Sequence, residues 1–308
     1  MAHTTHRPYR PLQGALLATV LATSGHALAL SNGAGASFVD ASSPWAGVGS
    51  LNVNGQLFTA TLIAPGYALT AAHVVAGANV DSITFQTQGG QTFSSGVGAV
   101  FVNPAYTGST SGNAVGDPTI HADLAIVRLD NASPNTLPHY SVFGGTLLHN
   151  TLSLVSYGNS ATLATTGANK ADLVLNGTQG QAESYVFDHD GPTLATNRIG
   201  PNTPANGTLG ATVEAGIVQG DSGSAAFVQV NGAWQLAGIN TFALGFTAEP
   251  LVPGAFGTGG GGVVLSSYQP WISGVIATTV PEPSAVHMLL AGLGLVGAVA
   301  TRRRKAGL

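Results

Sequence analysis

Gly220-Asp221-Ser222-Gly223-Ser224 sets a serine between two glycines. Glycine on either side permits backbone angles that project the hydroxyl and point two N–H groups into one hole. Two earlier stretches supply the groups that such a serine needs. Leu69-Thr70-Ala71-Ala72-His73-Val74-Val75 ends an apolar run in a histidine whose small neighbours leave it room at a crowded junction. His121-Ala122-Asp123-Leu124-Ala125-Ile126-Val127-Arg128-Leu129 sets a carboxylate at the mouth of an apolar strand. A carboxylate buried there requires a hydrogen-bonded partner, and an imidazole is a natural one. Each stretch alone also reads as a structural histidine, a turn aspartate or an ordinary turn. Their order along the chain, His73, Asp123, Ser222, makes them a candidate site.

Outward from these stretches the chain reads as all-β. Gly49 to Val53, Asn54-Gly55 and Gln56 to Ile63 form a hairpin pattern, because Asn-Gly suits a type I′ turn. Ala226 to Val230, Asn231-Gly232 and Ala233 to Ile239 repeat it. Further β-like runs are Gly96–Val102, Leu124–Leu129, Leu152–Ser156 and Gly262–Leu265, mostly separated by Gly, Pro, Asn or Ser. Short strands at this spacing belong to a barrel or a sandwich. Asp130 to Asn150, with Pro134 and Pro138, reads as a crossover between two halves, and a helix is expected near Ser267–Val275.

Composition narrows the function. Only 7% of the 308 residues are charged and the net charge is -4, so there is no basic face for nucleic acid. The 44% hydrophobic content supports a core, and the polar balance comes from turn-forming residues. Cysteine is absent, which excludes disulfides, thiol redox chemistry and thiolate metal sites.

Both ends read as addresses. In residues 1–29, Arg7 and Arg10 precede an apolar stretch from Gly14 to Ala22, and Ala27-Leu28-Ala29 offers the small-x-small pattern of a signal peptidase site. At the other end, Val280-Pro281-Glu282-Pro283 precedes an apolar run from Ala285 to Ala300 and then Arg302-Arg303-Arg304-Lys305. As a helix that run spans about 24 Å, short for a bilayer core of about 30 Å. It predicts transient membrane contact with the basic cluster on the cytoplasmic side. This order resembles the PEP-CTERM sorting signal of Gram-negative bacteria, here residues 277–308. The resemblance implies processing by an exosortase and delivery to the cell surface or extracellular matrix. A plain single-span anchor would give almost the same location.

Thr70-Ala71-Ala72-His73, Asp123-Leu124-Ala125-Ile126-Val127-Arg128-Leu129 and Gly220-Asp221-Ser222-Gly223 resemble the three signature segments of the chymotrypsin/trypsin family. The chain order His, Asp, Ser is also that of this family, whereas subtilisins run Asp, His, Ser and α/β-hydrolases run Ser, acid, His. The likeness extends over about residues 43–275, through Ser43-Pro44-Trp45, Gly49-Ser50-Leu51, the hairpin Asn231 to Ile239, and Trp271-Ile272. It implies two six-stranded antiparallel β-barrels, about 40–135 and 150–276 within a domain of residues 30–276, and a short C-terminal helix. It implies a secreted serine endopeptidase that needs no metal or organic cofactor and acts on protein or peptide substrates. Ser222 is then the nucleophile, His73 the general base and Asp123 its orienting partner, with the Gly220 and Ser222 N–H groups as oxyanion donors.

By the same resemblance Gly216 lies at the floor of the primary pocket. Without a carboxylate there, cleavage after Lys or Arg is not expected. Thr241-Phe242-Ala243 corresponds to the strand that pairs with the substrate backbone, and Thr241 is also placed to hydrogen-bond Asp123. Ile217 and Ala243 narrow the pocket, which points to small or medium neutral side chains. Two other readings remain open at this point, an inactive homologue serving as a surface or matrix binding module and an esterase on the same scaffold.

The chain departs from the family in three places. Ser224 stands where the family usually has Gly, the family's cysteines are missing, and no Ile-Val-Gly-Gly-like segment precedes Ser43 to supply an amine for Asp221. Asp188-His189-Asp190-Gly191 reads as a solvated loop rather than a calcium site, since no closing Glu follows. His121 reads as a strand neighbour of Asp123, and His139 and His149 are assigned no role.

Overall fold

The computed structural model describes residues 17–19, 29–32, 34–37, 43–87, 91–108, 120–158, 160–162, 164–177, 180–199, 207–246 and 250–279. Two short strands open the chain, β1 (Leu17–Thr19) and β2 (Ala34–Ser37). The first barrel comprises β3 (Val48–Val53), β4 (Gln56–Ala64), β5 (Tyr67–Thr70), β6 (Val80–Gln86), β7 (Thr92–Val102) and β8 (Ala125–Leu129). It closes in the order β3-β4-β5-β8-β7-β6. Between β3 and β4, Asn54 and Gly55 have φ of 52° and 78°, as the type I′ turn requires. Leu51, Leu62, Leu69, Ile83, Phe85 and Ile126 are fully buried. A single helical turn, α1 (Ala72–Val75), follows β5 and carries His73.

The second half holds β9 (Thr151–Ser156), β10 (Ala164–Lys170), β11 (Leu173–Asn176), β12 (Ala182–Asp188), β13 (Ala225–Val230), β14 (Ala233–Gly245) and β15 (Gly259–Val264). With β1 and β2 these form one nine-stranded sheet along the path β11-β12-β15-β14-β13-β9-β10-β2, and β1 pairs with β14 off that path. Only Ala171 and Asp172 separate β10 from β11, so the two are one bent strand. Counted so, the ring β9, β10/β11, β12, β15, β14, β13 has six members and closes through the chain itself. The fold is all-β and chymotrypsin-like.

Trp45, Tyr140, Phe227 and Trp234 seam the two halves together. Ring centroids are 4.9 Å apart for Trp45–Phe227, 4.6 Å for Trp45–Trp234 and 4.7 Å for Tyr140–Phe227. Tyr140 belongs to the crossover, as its position between the barrels demands. Its N–H donates to the Leu62 carbonyl at 3.0 Å and its hydroxyl to the Pro44 carbonyl at 2.7 Å. Three residues on, Phe143 N–H donates to the Leu236 carbonyl of β14 at 2.9 Å. The crossover thereby fixes one barrel against the other, and the cleft between them holds the candidate site.

The expected C-terminal helix is α2 (Gln269–Thr279), preceded by a 3-10 turn at Leu265–Tyr268. Among the described residues no helix is long and apolar enough to cross a membrane. The apolar run 285–300 lies outside the described residues.

Candidate active site

His73, Asp123 and Ser222 come from three different elements and meet in the cleft. Asp123 stands two residues before β8, and its carboxylate accepts two hydrogen bonds from His73. Oδ1 takes the His73 backbone N–H at 2.8 Å, and Oδ2 lies 2.6 Å from Nδ1. A carboxylate at Nδ1 fixes the proton there, so Nε2 is left as an acceptor. Ser222 Oγ lies 2.8 Å from Nε2 and supplies the matching donor. Burial works against the charged imidazole, but the Asp123 charge and hydrogen bond outweigh it, and the His73 pKa is raised above 6.5.

The turn around Ser222 is set by steric necessity. Gly223 has φ +83°, and a Cβ there would stand 2.2 Å from the Thr59 carbonyl oxygen and 2.3 Å from Thr70 Oγ1. Gly220 has φ +95°. Among the described residues neither the Gly220 nor the Ser222 N–H donates to a protein acceptor. Both therefore remain available to a ligand oxygen beside Ser222 Oγ. Ser224, the residue that departs from the family pattern, is fully buried and held by Asn240, whose Nδ2 donates to Ser224 Oγ at 2.8 Å. Tyr185 in turn donates to Asn240 Oδ1 at 2.7 Å. A hydroxyl fits in place of a glycine because this relay satisfies it. No sequence signal marked Asn240 or Tyr185, which lie on β14 and β12.

The expected pocket residues separate into two groups. Ile217 and Ala243 are buried in one apolar cluster with Leu30, Ala215, Tyr185 and Phe187. Phe242 sits in another, with Ile120, Val186 and Leu244, as alternation along β14 requires. Thr241 does not bond to Asp123: among the described residues its Oγ1 is buried without a hydrogen-bond partner, and Asp123 is engaged by His73. Gly216 is bridged both ways to Ser31, with Ser31 N–H to Gly216 O at 3.0 Å and Gly216 N–H to Ser31 O at 3.1 Å. A Cβ on Gly216 would come within 2.7 Å of His189 Nδ1 and 2.8 Å of Ser31 Oγ. Leu30-Ser31-Asn32, which does not match an Ile-Val-Gly-Gly pattern, therefore packs against Gly216 through Ser31.

Two other expectations change. Asp188-His189-Asp190 is not a solvated loop, since all three residues are 3% exposed or less. Asp188 ends β12, and Asp188 and Asp190 lie in a buried acidic cluster with Asp172 and Glu214. Asp188 Oδ2 accepts the N–H groups of Arg198 and Ile199, while Glu214 accepts those of Asp190 and Leu209 at 2.7 and 2.6 Å. Asp188 and Glu214 thus hold the backbone at Asp190, Arg198, Ile199 and Leu209. Among the described residues no cluster of His, Asp or Glu is arranged to hold a metal ion. His121 lies in a turn rather than on a strand, and its Nδ1 is 2.9 Å from Ser184 Oγ. His139, assigned no role, lies 2.8 Å from Ser133 Oγ.

Burial pushes the Asp172 pKa up to about 9, and the neighbouring Asp188 carboxylate adds to the rise. Between an ordinary aspartate pKa near 3.8 and that value, unfolding releases a proton, so stability falls as pH rises across this window. Asp172→Asn removes the penalty while keeping an acceptor for the Asp188 N–H, now 3.2 Å from Asp172 Oδ2. The variant should gain about 1–3 kcal/mol at pH 8 and nothing at pH 3, read from denaturant unfolding at the two pH values.

The trypsin family profile matches residues 33–272, more than half of the chain. The chain belongs to the trypsin family. This trypsin-family protein is a serine endopeptidase of chymotrypsin-like fold, and a peptide is its substrate. Residues 279–305 match the PEP-CTERM protein-sorting motif, which marks an extracellular or cell-surface protein of a Gram-negative bacterium processed by an exosortase. A solved structure described as a Glu endopeptidase in complex with MPD superposes with a TM-score of 0.50 at 16% identity, covering 76% of this chain and 92% of the other. At that identity the likeness concerns the fold. No curated protein matches the chain by sequence.

Proposed function

We propose that Ser222, His73 and Asp123 are the catalytic triad of this endopeptidase, exported by removal of residues 1–29. The supporting observation is the continuous relay from Asp123 Oδ2 to His73 Nδ1 at 2.6 Å and from His73 Nε2 to Ser222 Oγ at 2.8 Å. Ser222 Oγ attacks the peptide carbonyl carbon while Nε2 takes its proton. The resulting imidazolium is held by Asp123, and the oxyanion is received by the Gly220 and Ser222 N–H groups. His73 then protonates the leaving amine, the C–N bond breaks, and water releases the acyl group by the same route. Gly216, Ile217, Thr241, Phe242 and Ala243 shape the substrate site. Buried Ile217 and Ala243 and a floor without a carboxylate favour small or medium neutral residues before the cleaved bond.

His73 must be neutral to act as base, so its protonation sets the acid limb of activity. Because Asp123 raises its pKa, kcat/KM should fall below a midpoint above 6.5. A pH series with a fluorogenic peptide carrying Ala before the scissile bond reads this directly. A midpoint at or below 6.5 would contradict the assignment of His73. Turnover of a Lys or Glu peptide faster than the Ala peptide would overturn the specificity.

A further inference from the structure

His189 is a buried histidine that the proposed mechanism leaves unused. It follows β12 directly and is 1% exposed. Both of its ring nitrogens face backbone carbonyls from other parts of the chain. Nδ1 lies 3.0 Å from Gly254 O, and Nε2 lies 3.2 Å from Glu214 O. A carbonyl oxygen only accepts, so the ring must be the donor in these contacts. Burial lowers the His189 pKa, which favours the neutral ring with a single N–H to give. The main chain of His189 is tied to the same loop as Nδ1. Its N–H donates to the Thr258 carbonyl at 2.8 Å, and the Gly257 N–H donates to its carbonyl at 2.8 Å. The ring also packs on Phe256, with centroids 4.6 Å apart.

These partners border the expected substrate pocket. Glu214 stands two residues before Gly216, the expected floor. A Cβ on Gly216 would meet His189 Nδ1 at 2.7 Å, so the imidazole lies directly against that glycine. Gly254 belongs to the loop between β14 and β15, which leaves β14 at Gly245, two residues after Ala243. A Cβ on Gly254 would stand 2.6 Å from Val218 Cγ1, which puts this loop against the residue that follows Ile217. Gly254 and Gly257 have φ of 80° and 79°, and glycines there leave the loop little stiffness of its own. Something else must hold it. The Ser31 hydroxyl donates to the Gly254 carbonyl at 2.6 Å, and the His189 ring takes the same carbonyl from the other side of the pocket floor.

We propose that His189 is a specificity-positioning residue of this endopeptidase, pinning the β14–β15 loop against Gly216 so that the pocket admits small side chains and refuses large ones. The inference rests on the triad and specificity readings above. His189 acts through Gly216 and Gly254 and not on the reacting atoms. Without its ring N–H the loop is free to move outward, and a bulky side chain can then enter.

The test compares the exported protein with its His189→Leu, His189→Asn and His189→Gln variants. Leu removes both ring donors. Asn has the shape of Leu but places an amide near the Nδ1 position, and Gln places one near Nε2. Steady-state kinetics are read on two peptides that differ only in Ala or Phe before the scissile bond. In His189→Leu the ratio of kcat/KM for the Ala peptide over the Phe peptide should fall about 10-fold. Labelling by a fluorophosphonate too small to fill the pocket should stay within about three-fold of the parent, because the triad is untouched. Asn or Gln, whichever replaces the nitrogen that carries the proton, should restore the parent ratio. An unchanged ratio in His189→Leu would overturn the proposal while leaving the triad standing. A fallen ratio that neither amide restores would also overturn it, since the ring would then act by bulk alone. Variants that fail to fold would make His189 a determinant of the fold instead, with the same consequence. A folded parent that takes no label would overturn the triad reading, and this inference with it.

Discussion

Ser222→Ala should lower kcat/KM on an Ala-containing peptide by about 10⁴- to 10⁶-fold, with no loss of fold. Ser222 Oγ bonds within the described residues to His73 Nε2, so removing it deletes the nucleophile and one hydrogen bond to a group that water can solvate. The turn is held by groups the substitution leaves in place: Gly223 N–H on the Asn240 carbonyl at 2.9 Å, and Ser224 N–H on the Asp221 carbonyl at 2.9 Å. Thermal melting should therefore stay within a few degrees of the parent, since a change at a partly exposed hydroxyl is worth about 1 kcal/mol or less. An inactive variant that melts near the parent isolates chemistry from folding. Residual cleavage at a tenth of the parent rate would show that another group attacks.

Asp123→Asn should cost about 10⁴-fold in kcat while leaving KM within a few-fold. The two oxygens of Asp123 receive different donors, the His73 N–H at 2.8 Å and Nδ1 at 2.6 Å. An amide keeps one acceptor and presents an NH₂ in place of the other. Whichever way it turns, one His73 donor loses its acceptor. If the amide nitrogen faces Nδ1, the imidazole must carry its proton on Nε2, where it can no longer accept from Ser222. The acid limb of the pH profile should also move down, because the charge that raises the His73 pKa is gone. Steady-state kinetics across pH reads both effects. A loss confined to KM would place Asp123 in substrate binding instead.

Much of the architecture was legible because its signals are local. Asn54-Gly55 and Asn231-Gly232 place two hairpins at once, since few dipeptides adopt two successive positive φ angles as cheaply. His73, Asp123 and Ser222 were legible for a similar reason, each announced by neighbours that make room for it. Contacts between distant strands carry no such signal. The β-like run reads from Gly262, yet β15 already begins at Gly259. There a Cβ on Gly262 would sit 1.9 Å from the Ile239 carbonyl oxygen, and one on Gly261 2.2 Å from that of Tyr185. Glycine is demanded by strands on both sides, which no window of sequence contains.

The same holds for charge. Asp188 looks like a solvated turn residue because its compensation comes from the backbone N–H groups of Arg198 and Ile199 in the following loop. Leu30 and Asp221 are 191 residues apart, and Leu30-Ser31-Asn32 does not match an Ile-Val-Gly-Gly pattern. What the position requires is a backbone nitrogen at the carboxylate, which any residue can offer.

The most direct test of the account is to treat the natural exported protein with a fluorophosphonate and map the adduct by peptide mass spectrometry. A single adduct on Ser222 is predicted, formed at a rate that falls as His73 becomes protonated. A folded protein that gains no adduct, or gains it on another serine, would contradict the central claim that Ser222 is the nucleophile.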